Sequence, residues 1–111
     1  MALQAARRKP ANHSGLDALE RKAAQAAALL KLLANENRLL ILCRLALEGE
    51  MAVNELADSV GLSQSALSQH LAKMREEGLV AFRRDGQSLF YSISDSRCEA
   101  LLATLHRLYC A

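Results

Sequence analysis

The stretch Ser63–Gly78 reads SQSALSQHLAKMREEG, and its reading decides the fold. Leu67, His70, Leu71 and Met74 fall at i, i+3, i+4 and i+7, which is the inward face of an amphipathic helix. The opposite face carries Gln64, Ser65, Ser68, Gln69 and Lys73, short polar side chains and one cation. Ser63 is placed to cap the helix and Gly78 to close it. Any soluble helix has a polar face, so this stripe alone does not assign a function.

The flanking residues do. Upstream, MAVNELADSVGLS (51–63) predicts a short helix over about Ala52–Val60 that stops at Gly61, where a sharp turn needs left-handed backbone. Two helices joined by a tight Gly-containing turn form a helix-turn-helix, whose second helix enters the major groove of DNA. Ser and Gln suit that helix because they donate and accept hydrogen bonds at base edges and phosphates. Downstream the period changes from helical to two. LVAFRR (79–84) and SLFYSI (88–93) flank DGQ (85–87), and Asp-Gly is a strong hairpin signal. Arg83, Arg84 and Gln87 surround the hairpin tip, within reach of phosphate or the adjacent minor groove. A helix-turn-helix followed by a cationic hairpin is a winged helix.

Three further helices complete the chain. Leu16, Leu19, Ala23, Ala26, Leu30 and Leu33 predict one helix over Leu16–Leu33. Asn35 caps a second that runs to Glu48 and stops at Gly49. A last helix from about Asp95 to Tyr109 aligns Cys98, Leu101, Leu102, Leu105, Leu108 and Tyr109. That apolar stripe is wide for the end of a chain of 111 residues, and it is expected to meet a partner subunit. The fold class is therefore mainly α with a β-hairpin wing, in the order four helices, two strands, one helix.

Composition agrees. With 51% hydrophobic but only 4% aromatic residues and a single proline, the chain suits Leu- and Ala-rich helices better than a β-sandwich. The net charge of +2 is uneven. Arg7, Arg8 and Lys9 supply +3, and the remaining eleven Lys and Arg against twelve Asp and Glu leave −1. Residues 1–15, MALQAARRKPANHSG, lack apolar periodicity and read as a basic tail, with the domain spanning 16–111. No run reaches the roughly 18 apolar residues of a membrane span, and no signal-peptide pattern is present, so a cytoplasmic protein is expected. Three cysteines, an odd number, do not make a secreted disulfide framework.

Three segments together carry a family resemblance: LLANENRLLIL (32–42), ELADSVGLSQSALSQHLAKMREEGLV (55–80) and RRDGQSLFYSIS (83–94). Over about residues 17–110 the chain resembles the ArsR/SmtB family of dimeric winged-helix repressors. The resemblance implies a homodimer joined by its first and last helices, bound to double-stranded operator DNA and released when an inducer is sensed.

Metal sensing is not expected. The third-helix metal site of the family resembles ELCVCDL, whereas this chain reads EMAVNEL (50–56), with Ala52 and Asn54 in place of the two thiolates. For the last-helix site Asp95 matches the first ligand, but Arg97 and Leu108 stand at the partner positions, and zinc typically takes four ligands. His106 and Cys110, four apart, lack a third and fourth ligand, and His70 reads as a hydrogen-bonded structural histidine. No metal, cofactor or membrane partner is expected. Nor is an enzyme, since no C-x-x-C motif is present.

The thiols resemble something more specific. Cys43 inside LLILCRL (39–45) and Cys110, 67 positions later at the end of the last helix, are similar to the pair of the sulfide- and persulfide-responsive BigR and SqrR type of this family. There the two thiols of one subunit are linked by reactive sulfur species, which disfavours DNA binding. A thiolate attacks sulfane sulfur and a second thiol resolves the persulfide, so both must face one pocket. Cys98 reads as accessory or packing. The alternative keeps the DNA-binding face and makes the chain a metal-responsive or inducer-independent repressor whose cysteines are structural.

Overall fold

A computed structural model describes residues 13–110. The basic run Arg7, Arg8 and Lys9 lies outside the described residues, and the first helix opens at His13, so residues 13–15 of the expected tail are helical. The chain divides into two compact units between Lys31 and Leu32.

In the first unit, α1 (His13–Arg21) is followed by the larger part of α2 (Ala23–Leu33). The sequence predicts one helix here. A turn at Lys22 separates the two, its amide shared between the carbonyls of Ala18 at 3.2 Å and Leu19 at 3.1 Å, a local tightening toward i→i−3 bonding. Leu19 and Leu30 of this unit are exposed.

The second unit holds the winged helix. Arg38 Nε donates to the Leu32 carbonyl at 2.6 Å, and Asn35 Oδ1 accepts the Arg38 amide at 3.0 Å, fixing the start of α3 (Glu36–Glu48). The strand β1 (Met51–Ala52) leads directly into α4 (Val53–Val60). Gly61, at φ 71°, makes the turn to α5 (Gln64–Glu76), where Ser63 Oγ accepts the Ala66 amide at 3.1 Å. Left-handed backbone at Gly61 is cheap only without a Cβ, which is why this turn is tight.

The wing is β2 (Val80–Asp85) and β3 (Ser88–Ile93), antiparallel, with Arg84 opposite Leu89 and Arg83 opposite Phe90. Its loop is two residues, Gly86 and Gln87, with positive φ at Gly86 only, the pattern of a type II′ turn. The short β1 adds a third strand on the far side of β3, giving the order β1-β3-β2. A two-residue strand has no alternation to display, so periodicity does not reveal it. Last comes α6 (Ser96–Cys110), packed against α3.

The core follows the expected faces. Ile41, Leu42 and Leu45 of α3, Leu56 of α4 and Leu67, Leu71 and Met74 of α5 are all but fully buried. Each contributes about 1.5–3 kcal/mol by leaving water. Thus α3 packs on α4 and α4 on α5, a continuous path from the second predicted helix to the reading helix. Along the stripe of α6, Cys98 and Leu102 are buried, whereas Leu108 and Tyr109 are 70% and 82% exposed. Among the described residues no helix is long and apolar enough to cross a membrane.

Candidate functional site

Two sites emerge, one polar and one built on thiols. The first is a cleft of about 710 Å³ between α5 and the wing. Gln64 and Ser68 enter it from the helix and Gln87 from the hairpin, so three of the eight residues offered for DNA contact converge there. Ser65, Gln69 and Lys73 are exposed on the neighbouring stripe of α5, outside the cleft lining. Pairing with Leu89 puts Arg84 on the same wing face as Tyr91, which lines the cleft.

Arg83 lies on the other face. Its guanidinium donates to Glu50 Oε2 and Oε1 at 2.8 Å each and sits 4.6 Å from the Phe90 ring centroid. The hydrogen bonds and nearby charge hold Glu50 below the usual carboxylate range and raise Arg83 above its ordinary value. Arg83, read as a phosphate contact, is thus paired within the chain: alternation sends neighbouring arginines to opposite faces, and a carboxylate lies on one of them.

Sequence reasoning misses polar residues of the cleft, among them Asn54, Arg75 and Ser88. Arg75 donates from Nη1 to Tyr91 Oη at 3.3 Å and lies 5.2 Å from the Phe82 ring centroid. The available signal was spacing, since Arg75 continues the stripe of Gln64, Ser68 and Ala72 by three residues. His70 also departs from its reading. It is half-buried, and its ring makes no hydrogen bond among the described residues, because it lies at the edge of the apolar stripe rather than within it.

The second site is a crevice of about 520 Å³ between α3 and α6. Cys43 lines it from α3, and Leu102, Ala103 and His106 line it from α6. Cys43 and Cys110 are both exposed free thiols, and Cys98 is a buried one. Partial burial, then the nearby Cys110, push the Cys43 thiol up from its ordinary value. Cys98 is pushed up to about 11, first by burial and then by Asp95, Glu99 and Cys43. Neither Cys98 nor Cys110 is among the residues lining the crevice, so of the expected thiol pair only Cys43 faces it.

The chain matches known proteins along most of its length. The family model described as "Bacterial regulatory protein, arsR family" fits residues 35–81. The transcriptional activator HlyU of Vibrio cholerae is 50% identical over 95 residues, covering 86% of this chain and 87% of that one. The chain belongs to the arsR family of bacterial regulatory proteins. Reduced HlyU from Vibrio cholerae N16961 superposes with a TM-score of 0.78 at 50% identity, over 84% of this chain and 97% of that one. The transcriptional repressor BigR from Xylella fastidiosa gives a TM-score of 0.80 at 37% identity, over 86% and 96%. The arsR-family chain is thus a regulator built as a winged helix, not an enzyme.

The positions where relatives of this family were expected to place metal ligands have other uses in this arsR-family chain. Ala52 is buried and pairs with Phe90 across the β1–β3 ladder. Asp95 caps α6, its Oδ1 accepting the amides of Arg97 at 2.8 Å and Cys98 at 3.3 Å while Oδ2 accepts from Arg97 Nη2 at 2.9 Å. Among the described residues no group of three His, Cys, Asp or Glu is arranged to hold a metal ion.

Proposed function

We propose that this chain is a dithiol-switched transcriptional repressor, a homodimer that binds operator DNA while Cys43 and Cys110 are reduced and leaves it when reactive sulfur species bridge them. The observation that carries the reading is the thiol arrangement: two accessible cysteines on two helices that pack against each other, with a third that is buried. Gln64, Ser65, Ser68, Gln69 and Lys73 of α5, with Arg84 and Gln87 of the wing, form the DNA face. The exposed Leu19, Leu30, Leu108 and Tyr109 support dimerisation through the first and last helices, because apolar side chains of that size gain by leaving water.

The chemistry balances with an organic trisulfide, RS–S–SR, as donor. The Cys43 thiolate attacks the central sulfur, forming one S–S bond and expelling RS⁻. The Cys110 thiolate attacks that same sulfur, expels the second RS⁻ and closes a Cys43–S–Cys110 bridge. Two thiols are oxidised, the donor is reduced to two RSH, and the cysteine protons pass to the leaving thiolates. Since α3 contacts both α6 and α4, and α4 contacts α5, a bridge between the first two elements bears on the reading helix.

The relatives differ in sign, HlyU being a transcriptional activator and BigR a repressor. Direct repression follows from DNA release on bridging. The test pairs intact mass with DNA binding. A duplex selected from a random pool by the reduced protein is titrated before and after treatment with an organic trisulfide or with peroxide. A protein that gains one sulfur, loses two hydrogens and drops the duplex supports the switch. Unchanged affinity after complete bridging refutes it.

A further inference from the structure

We propose that the cleft between α5 and the wing is a channel for one sugar-phosphate strand of duplex DNA, and that Arg75 is its phosphate clamp. The inference rests on the DNA-binding reading and extends it to a residue outside the seven assigned above. With α5 in the major groove and the hairpin reaching the adjacent minor groove, the backbone strand separating those grooves must pass between helix and wing. A cation lining that passage meets phosphates rather than bases.

The lining has the chemistry for it. Asn54, Gln64, Ser68, Gln87 and Ser88 supply amide and hydroxyl donors, Arg75 is the one cation, and no carboxylate lines the cleft. A strand carrying one negative charge per nucleotide finds donors throughout and nothing that repels it.

Arg75 is prepared for the task. Among the described residues it has no ion-pair partner, whereas Arg44, Arg83 and Arg97 are each paired with a carboxylate. The Tyr91 hydroxyl and the Phe82 ring hold its guanidinium without neutralising it. One of five N–H donors is used in that hold, leaving the rest of the fork for a phosphate. A side chain already ordered loses less freedom on binding.

The test is the salt dependence of DNA binding by the reduced full chain, followed by fluorescence anisotropy on a selected operator and on a random duplex. Arg75→Gln is expected to weaken both complexes by a similar factor, about three- to tenfold at low salt, and to reduce the slope of log K against log salt by about 0.9. Tyr91→Phe is expected to lose affinity with the slope kept, because the charge remains and only its hold is released. Ser88→Asp, at an exposed hairpin position, puts a carboxylate into the channel and is expected to depress binding more than Arg75→Gln does. If Arg75→Gln lowers the melting midpoint but leaves the slope unchanged, Arg75 is a strut for the wing and the clamp is refuted. Full binding by Ser88→Asp refutes the channel. A wild-type protein that binds neither duplex removes the DNA-binding reading itself, a result separate from either variant's.

Discussion

Glu50 and Arg83, thirty-three positions apart, meet across the face of β3 through two hydrogen bonds of 2.8 Å, with the Phe90 ring beneath the guanidinium. An arginine bound in this way has already traded its charge. We expect Arg84→Ala to lower the salt slope of DNA binding by about 0.9 and Arg83→Ala to lower it by less than half as much. Glu50→Gln should release Arg83 and steepen the slope instead. Equal losses for the two arginines would show that the pair opens on DNA and that the intramolecular contact has no bearing on binding.

Ser68 lines the cleft, and Gln69 lies one residue further around α5 on its exposed side. Both are short enough for the major groove, and Gln is suited to a bidentate contact with adenine. Replacing both by alanine should cost about 1–3 kcal/mol on a selected operator and little on random DNA. The check is the ratio of the two affinities. If both fall together, these side chains touch backbone only and the base-reading role belongs elsewhere on the helix.

Asp95 is held below the usual carboxylate range by its side-chain bond to Arg97 and by the amides it caps. A group whose pKa is lowered on folding stabilises the fold above its ordinary value, and that stability is lost as pH falls through the lowered one. Asp95→Ala should therefore cost about 1 kcal/mol at neutral pH, the usual value of a lost cap, and the difference from wild type should fade below about pH 4. Denaturant melts at several pH values give the comparison. A carboxylate committed to a cap is also a poor metal ligand, so micromolar zinc should leave DNA affinity unchanged.

How much of this was readable in advance depends on whether a feature is periodic. The faces of α3 and α5, the stops at Gly49 and Gly61 and the hairpin around Gly86 follow from spacing and turn chemistry, and each stands where it was expected. The two-residue β1 and the turn at Lys22 break no pattern, and they were missed. In the site, Gln64, Ser68 and Gln87 were legible as polar residues at the right positions. The Glu50–Arg83 pair was not, because a contact between residues so far apart is set by strand order, which composition does not reveal. Arg75 was hidden by its neighbours: RE and EG around it read as a solvated helix end.

The three thiols should differ sharply toward alkylation. Cys98 is fully buried and raised to about 11, so both access and thiolate are scarce at neutral pH. In the native protein iodoacetamide should modify Cys110 and Cys43 and spare Cys98 until denaturant is added. Because Cys43 is raised above its ordinary value, its rate should still be climbing as pH approaches 9. Peptide mapping over time separates the sites. Rapid native labelling of Cys98 would mean that the start of α6 opens readily and that burial does not protect it.

The switch itself makes the strongest demand. Operator release requires the bridged and reduced states to differ in DNA affinity, and moving a population from 99:1 to 1:99 takes about 5.5 kcal/mol. A bridge from α3 to α6 has leverage of that order only through geometry, since two recognition helices must match half-sites about one turn of DNA apart. Cys43→Ser and Cys110→Ser should each fold, bind the operator with wild-type affinity when reduced, and keep it after treatment with an organic trisulfide. Both positions are exposed, so serine there leaves no cavity. Cys98→Ser should still respond, at the cost of some stability from a hydroxyl in a buried site. Mass mapping of the treated wild type should find the bridge between Cys43 and Cys110. A bridge joining Cys43 to Cys98, which also feels the charge of Cys43, would assign the resolving role to the wrong end of α6.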